Sequence, residues 1–203
     1  MPVQWKVFKT TTFDPDKFVR FNFFNPCVAV INQTAGQVVK DLRKATSSSF
    51  DNPTPFTKRA FAATSASPDQ ETPSSTVYIQ PDQSKYLWLE VYGGPRKVGD
   101  YGTSKKGLVI GKANLNIYGN LPRGYISRMV KRKKAFSTPS KKDPANTLVW
   151  LRDGKDHKKL IAVINKEGEY KPRLHFFDVV AKSVEVNIPK AIRAVFKRAK
   201  SRL

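Results

Sequence analysis

From Val28 onward, apolar residues recur every three or four positions: Val28, Ile31, Ala35, Val38, Leu42 and Ala45. That spacing predicts a helix with one buried stripe, started by Asn25-Pro26 and ending at about Ala45. A shorter aromatic helix with Phe18, Phe21 and Phe24 is expected before it, opened by Asp14-Pro15-Asp16. Two helices and one helix kinked at Pro26 satisfy this pattern alike. Helical spacing returns over Arg123–Lys133, with Tyr125, Ile126, Met129 and Val130 on one side, and again over Val186–Arg202. In the terminal segment Ile188, Ile192, Val195, Phe196, Ala199 and Leu203 share a face expected to close the core, with Lys190, Arg193, Lys197 and Lys200 opposite. An amphipathic basic helix that lies on a membrane or fills a partner's groove has the same pattern.

Strand-like runs lie between the helices. Residues 58–64, Thr76–Ile79, Thr147–Leu151, Leu160–Ile164 and Leu174–Val179 are expected to be strands, and Lys85–Tyr92 reads equally as strand or short helix. Turns are expected at Tyr118-Gly119-Asn120, Arg152-Asp153-Gly154-Lys155 and Lys166-Glu167-Gly168. Thr46–Thr57 is a breaker segment because of Pro53 and Pro55, with Phe50 and Phe56 expected to anchor it on the core. Gly93–Gly111 reads as an exposed loop and Lys131–Pro144 as a basic linker. The pattern predicts one α+β domain over residues 1–203. A small, mostly antiparallel sheet is flanked by an N-terminal helix and a C-terminal amphipathic helix, with extended loops at about 65–75, 94–107 and 131–146.

Composition supports a folded chain with an unusual charge. Among 203 residues, 39% are hydrophobic, and 13 Phe, 7 Tyr and 3 Trp supply large apolar area. Lys and Arg number 37 against 16 Asp and Glu, a formal net charge of +21. Such a field favours phosphate backbones, acidic protein surfaces or anionic membranes. The single cysteine, Cys27, allows no intrachain disulfide and no multi-cysteine zinc site. The opening MPVQWKVFKTTTF lacks the apolar core of a signal peptide, and no run is long and apolar enough to span a bilayer. A soluble product of the cytoplasm with no membrane partner is expected.

Candidate contact residues follow the charge. Arg123, Arg128, Lys131, Arg132, Lys133, Lys134, Lys141 and Lys142 occur in a stretch without Asp or Glu. They read as a phosphate-contacting arm, as a solvated surface, or as an arm docked on an acidic neighbour. Arg96, Lys97, Lys105 and Lys106 lie in the glycine-bearing loop, which does not match the phosphate-loop pattern and reads as a contact loop.

Catalytic chemistry finds little support. His157 is expected in a turn and His175 in a strand, without metal-ligand spacing. Pairs such as Glu167 with Glu169, or Asp153 with Asp156, read as solvated turn carboxylates. Asp51, Glu90, Asp100 and Asp178 are dispersed, and a shared cleft depends on how the chain folds. Cys27 reads as a small core residue rather than a nucleophile. No enzyme activity, metal, cofactor or small-molecule substrate is expected.

Five stretches, in order, carry a family resemblance: Ile31-Asn32-Gln33-Thr34-Ala35, Phe50–Thr57 (FDNPTPFT), Tyr86–Gly94 (YLWLEVYGG), Asn116–Gly124 (NIYGNLPRG) and Lys171-Pro172-Arg173-Leu174. This order, over residues 28–200, resembles minor tail and tail-completion (neck) proteins of tailed bacteriophages, of the minor tail protein Z type. The resemblance implies a small sheet between N- and C-terminal helices and a structural role in the virion, in a homo-oligomeric ring at the head–tail neck. It implies connector and tail proteins as neighbours and no catalytic residues. The polar insertions at 65–75 and 94–107, and Pro26 in the first helix, depart from that pattern. A ring of such basic subunits repels itself unless acidic neighbours or packaged DNA offset the charge. The alternative function is sequence-independent nucleic-acid binding by the basic face.

Overall fold

The computed structural model describes residues 25–154 and 157–200. The aromatic helix expected before Asn25, and the side chains of Ala199 and Leu203, lie outside the described residues. The described chain divides into two compact units: residues 25–39, 63–77 and 181–200 in one, residues 40–62 and 78–180 in the other. The architecture is α+β.

In the first unit, α1 (Asn25–Ser49) contributes Val28, Thr34, Ala35, Val38 and Val39 as its buried face, close to the expected stripe. Asn32 ties the polar 65–75 loop to this helix. Its Nδ2 donates to the Ala66 carbonyl at 3.0 Å, and the Ala66 N–H donates to its Oδ1 at 2.8 Å. Cys27 is exposed, not a core residue, because it sits one position before the buried Val28, about 100° round the helix. α5 (Phe176–Lys200) contributes Ser183 and Ala191 to the interior. Its expected core stripe is corrected: Ile188, Ile192 and Phe196 are exposed, and only Val195 of the described members is partly buried. Ser183, Asn187, Ala191 and Val195 recur every four residues, so the buried stripe lies one residue's rotation from the larger apolar one.

In the second unit, α1 runs four residues past its expected end and buries Leu42 and Thr46, whose hydroxyl donates to the Leu42 carbonyl. Pro55 begins a short helix, α2 (Pro55–Lys58), where the breaker segment was expected to stay irregular. Thr54 caps it, and proline suits a first helical position because its missing N–H has no partner there. Phe56 is exposed rather than anchored. Strands β1 (Phe61–Ala63) and β2 (Val77–Ile79) pair where strands were expected. The ambiguous segment is a helix, α3 (Pro81–Tyr92), with Pro81 in its first turn and Gly93 ending it at φ +73°. Leu87 and Leu89 are buried on it.

Two strands replace part of the expected 93–111 loop. β3 (Gly94–Lys97) pairs antiparallel with β8 (Glu167–Tyr170), and β4 (Leu108–Gly111) enters a second sheet. That sheet is four-stranded and antiparallel, in the order β4-β7-β6-β5, with β5 (Ala135–Pro139), β6 (Thr147–Asp153) and β7 (His157–Asn165). β5 therefore interrupts the expected basic linker. One face packs Ala135, Val149, Ile161, Ala162 and Ile164 against Tyr125, Ile126 and Met129 of α4 (Tyr125–Lys131). Val130, expected on the same side, is 51% exposed.

Leu174–Val179 is not a strand, since α5 begins at Phe176. The N–H groups of Arg173 and Leu174 are both spent on the Glu90 carbonyl, at 2.8 Å each, and no ladder continues from there. Phe176 then stacks on Phe61 and Phe177 tilts against Tyr92, a side-by-side use of adjacent aromatics that the helical turn allows.

Candidate functional site

The basic residues do not form a single arm. β5 separates Lys131, Arg132, Lys133 and Lys134 from Lys141 and Lys142 by a five-residue strand, roughly 16 Å when extended. Lys133 turns the chain at φ +57° between α4 and β5, and all six side chains are exposed. Arg123 and Arg128 are also exposed, and the Arg128 guanidinium donates back to the Arg123 carbonyl at 3.0 Å.

At the Lys134 end, strand register gathers cations that are distant in sequence. The Arg152 N–H donates to the Lys134 carbonyl at 2.8 Å, and Arg152 pairs across the next ladder with Lys158. Lys134, Arg152 and Lys158 thus form a row across three strands, all exposed. Two residues along each of β5 and β6 stand Phe136 and Trp150, direct cross-strand partners, with Leu160 opposite Trp150. Alternation puts both rows on one face, opposite the face that α4 covers. The Arg152 guanidinium lies 5.2 Å from the Phe136 ring centre, and the Lys158 ammonium 5.2 Å from that of Trp150. The indole N–H of Trp150 donates to the Thr138 hydroxyl at 3.0 Å. Arg152 and Lys158 were not among the expected contact residues. They lie 18 and 24 residues after Lys134, and only register brings them beside it.

The glycine-bearing loop is built around Arg96. Its guanidinium donates to the Tyr170 hydroxyl at 3.1 Å and to the Tyr101 carbonyl, and it lies over the Tyr170 ring. Arg96 is therefore an internal staple of the loop. Lys97 is exposed, and its backbone N–H donates to an Asp100 carboxylate oxygen at 2.7 Å. Lys105 and Lys106 are exposed at the tip of a turn closed by Ser104 and Gly107. An open cleft of about 290 Å³ lies beside the loop, lined in part by Lys85, Trp88, Arg96 and Tyr101. Lys85 is held by Asp82 at 2.7 Å and sits over the Tyr101 ring, so the hydrogen bond and charge of Asp82 raise its pKa above the ordinary value.

The expected chemistry-bearing residues are dispersed. His157 opens β7 rather than lying in a turn, because the ladder extends to the Asp153–His157 pair. His175 precedes α5 rather than lying in a strand, and its exposed ring is 3.7 Å from Asp178. Glu90 is buried and ion-paired with Arg173. Asp51, Asp153, Glu167 and Glu169 are exposed, and Asp156 is outside the described residues. Among the described residues no three of His, Cys, Asp and Glu gather as a metal-binding group, and no helix is long and apolar enough to cross a membrane.

No protein-family model, curated protein or solved structure matches the chain.

Proposed function

We propose that this protein is a structural subunit of a tailed-bacteriophage virion, assembling into a homo-oligomeric ring that joins or completes the tail at the head–tail neck. The ordered motifs that resemble tail-completion proteins supply the family. The observation that carries the assembly reading is the exposed stripe of Ile188, Ile192 and Phe196 along α5, 39%, 42% and 56% exposed. Apolar side chains aligned on one helix face form a continuous patch of the kind that subunit interfaces cover. The neighbours in this reading are connector and tail proteins with acidic surfaces, because a subunit of net charge +21 repels its copies in a ring unless anions intervene.

Counting copies of the protein in purified virions by quantitative mass spectrometry tests this. A small fixed multiple per particle is the expected result, and absence from particles rejects the reading.

A second reading, sequence-independent nucleic-acid binding, is favoured by the register that aligns Lys134, Arg152 and Lys158 on one sheet face. Like charges placed side by side across strands oppose pairing, and an anion bound there relieves them.

A further inference from the structure

We propose that the face of the four-stranded sheet opposite α4 binds single-stranded nucleic acid, with bases stacked on the half-buried rings of Phe136 and Trp150 and phosphates held by Lys134, Arg152 and Lys158. This rests on the nucleic-acid reading and is independent of the ring reading. It names the form of the ligand and the residues that hold it.

Three observations converge. First, the two rings are direct cross-strand partners, the second pair of the antiparallel β5–β6 ladder, so the backbone fixes their separation. Such aromatic pairs on sheet surfaces are stacking platforms for unpaired bases. Second, the Trp150 indole N–H is already satisfied by Thr138, which anchors the polar edge of the ring and fixes its orientation. Third, the cationic row lies two residues from the aromatic row, roughly 7 Å along the strands. That spacing matches the reach from a nucleobase to its own phosphate. The exposed Lys131, Arg132 and Lys133 continue the positive surface beyond the row.

The cations now resting over the rings also fit this role. In the free protein Arg152 and Lys158 cover Phe136 and Trp150. A bound strand offers each cation a phosphate, a stronger partner than an aromatic quadrupole, and frees a ring face for a base. A duplex offers the phosphates but keeps its bases stacked internally, so it gains only the charge contacts. An acidic protein surface likewise gains the charge contacts and has little use for two adjacent rings. The observations therefore favour a single strand, read without base preference.

Fluorescence anisotropy of the intact protein tests the proposal, with labelled oligothymidylate, a labelled duplex and competing polyphosphate as probes. Single strand is expected to bind more tightly than duplex, and Trp150→Leu to weaken single-strand binding about tenfold. Duplex binding and polyphosphate competition should be unchanged by that variant. The combined Lys134→Gln, Arg152→Gln and Lys158→Gln variant should weaken both nucleic acids and flatten their salt dependence. Quenching of Trp150 emission by oligothymidylate, in the Trp5→Phe, Trp88→Phe background, reads stacking directly and keeps the test available if Trp150→Leu fails to fold. Equal binding of single strand and duplex without quenching overturns the platform while leaving charge-driven binding standing. No binding to either overturns the platform and the nucleic-acid reading together, and neither result bears on the virion count.

Discussion

The Arg173 guanidinium holds both carboxylate oxygens of Glu90, Nε to Oε2 at 2.8 Å and Nη2 to Oε1 at 2.9 Å. The Glu90 carbonyl also accepts the N–H groups of Arg173 and Leu174, so one residue near the end of α3 fixes the chain just before α5. The Arg173 guanidinium lies 5.2 Å from the Phe50 ring centre as well. Its hydrogen bonds to the Glu90 carboxylate raise the Arg173 pKa above its ordinary value, against the opposing effect of burial.

The two partners differ in exposure, and substitution should reveal it. The Glu90 side chain is 11% exposed and that of Arg173 56%. Arg173→Met leaves a carboxylate buried without its partner and should cost about 3 kcal/mol. Glu90→Gln leaves a cation that water already reaches and should cost about 1 kcal/mol. Urea unfolding of both variants checks the order. Equal losses would show that the ion pair's desolvation is shared rather than carried by Glu90.

Tyr86 gives a pH dependence with a definite sign. Burial raises its phenol pKa, and the Thr57 hydroxyl at 3.1 Å opposes this more weakly. The folded value therefore lies above the unfolded value of about 10. The associated stability is complete below that pH and is lost as pH rises through the folded pKa. Phenolate absorbance during an alkaline titration should show a late-ionising tyrosine in the wild type, and that component should vanish in Tyr86→Phe.

Gly107 has both a left-handed backbone and a neighbour in the way. Its φ is +135°, and an added Cβ would run into the Asn165 carbonyl across the β4–β7 ladder. Gly107→Ala should cost about 3 kcal/mol. Gly99 also has a positive φ, +102°, but open space around it, so Gly99→Ala should cost about 1 kcal/mol, the backbone strain alone. Thermal melts of the two variants separate collision from strain.

The α5 stripe should be needed for assembly but not for folding. Ile192→Glu and Phe196→Glu place charge on side chains that are already 42% and 56% exposed, so the stability of the monomer should change by less than about 0.5 kcal/mol. Light scattering after size-exclusion chromatography should show the oligomer lost in both variants. An oligomer that survives both substitutions would move the subunit contact elsewhere.

Local pattern alone specifies α1 and the β6–β7 hairpin, because a helix stripe and a strand alternation are each written within a few adjacent residues. The α+β class follows from those elements in order. The run around Leu174–Val179 shows where local pattern stops. Its apolar residues suit either period, and the choice of helix follows from Glu90 capturing the preceding backbone and from Phe61 and Tyr92 receiving its two aromatics. α5 carries the apolar stripe of Ile188, Ile192 and Phe196 about one residue's rotation from the stripe of Ser183, Asn187, Ala191 and Val195, and which one is buried depends on the surface it meets, which no local spacing encodes. The same holds for the candidate site. The basic run from Lys131 to Lys134 and the rings of Phe136 and Trp150 are visible residue by residue. Their alignment with Arg152 and Lys158 exists only once β5, β6 and β7 pair in one register, because hydrogen bonds between strands set which distant residues become neighbours.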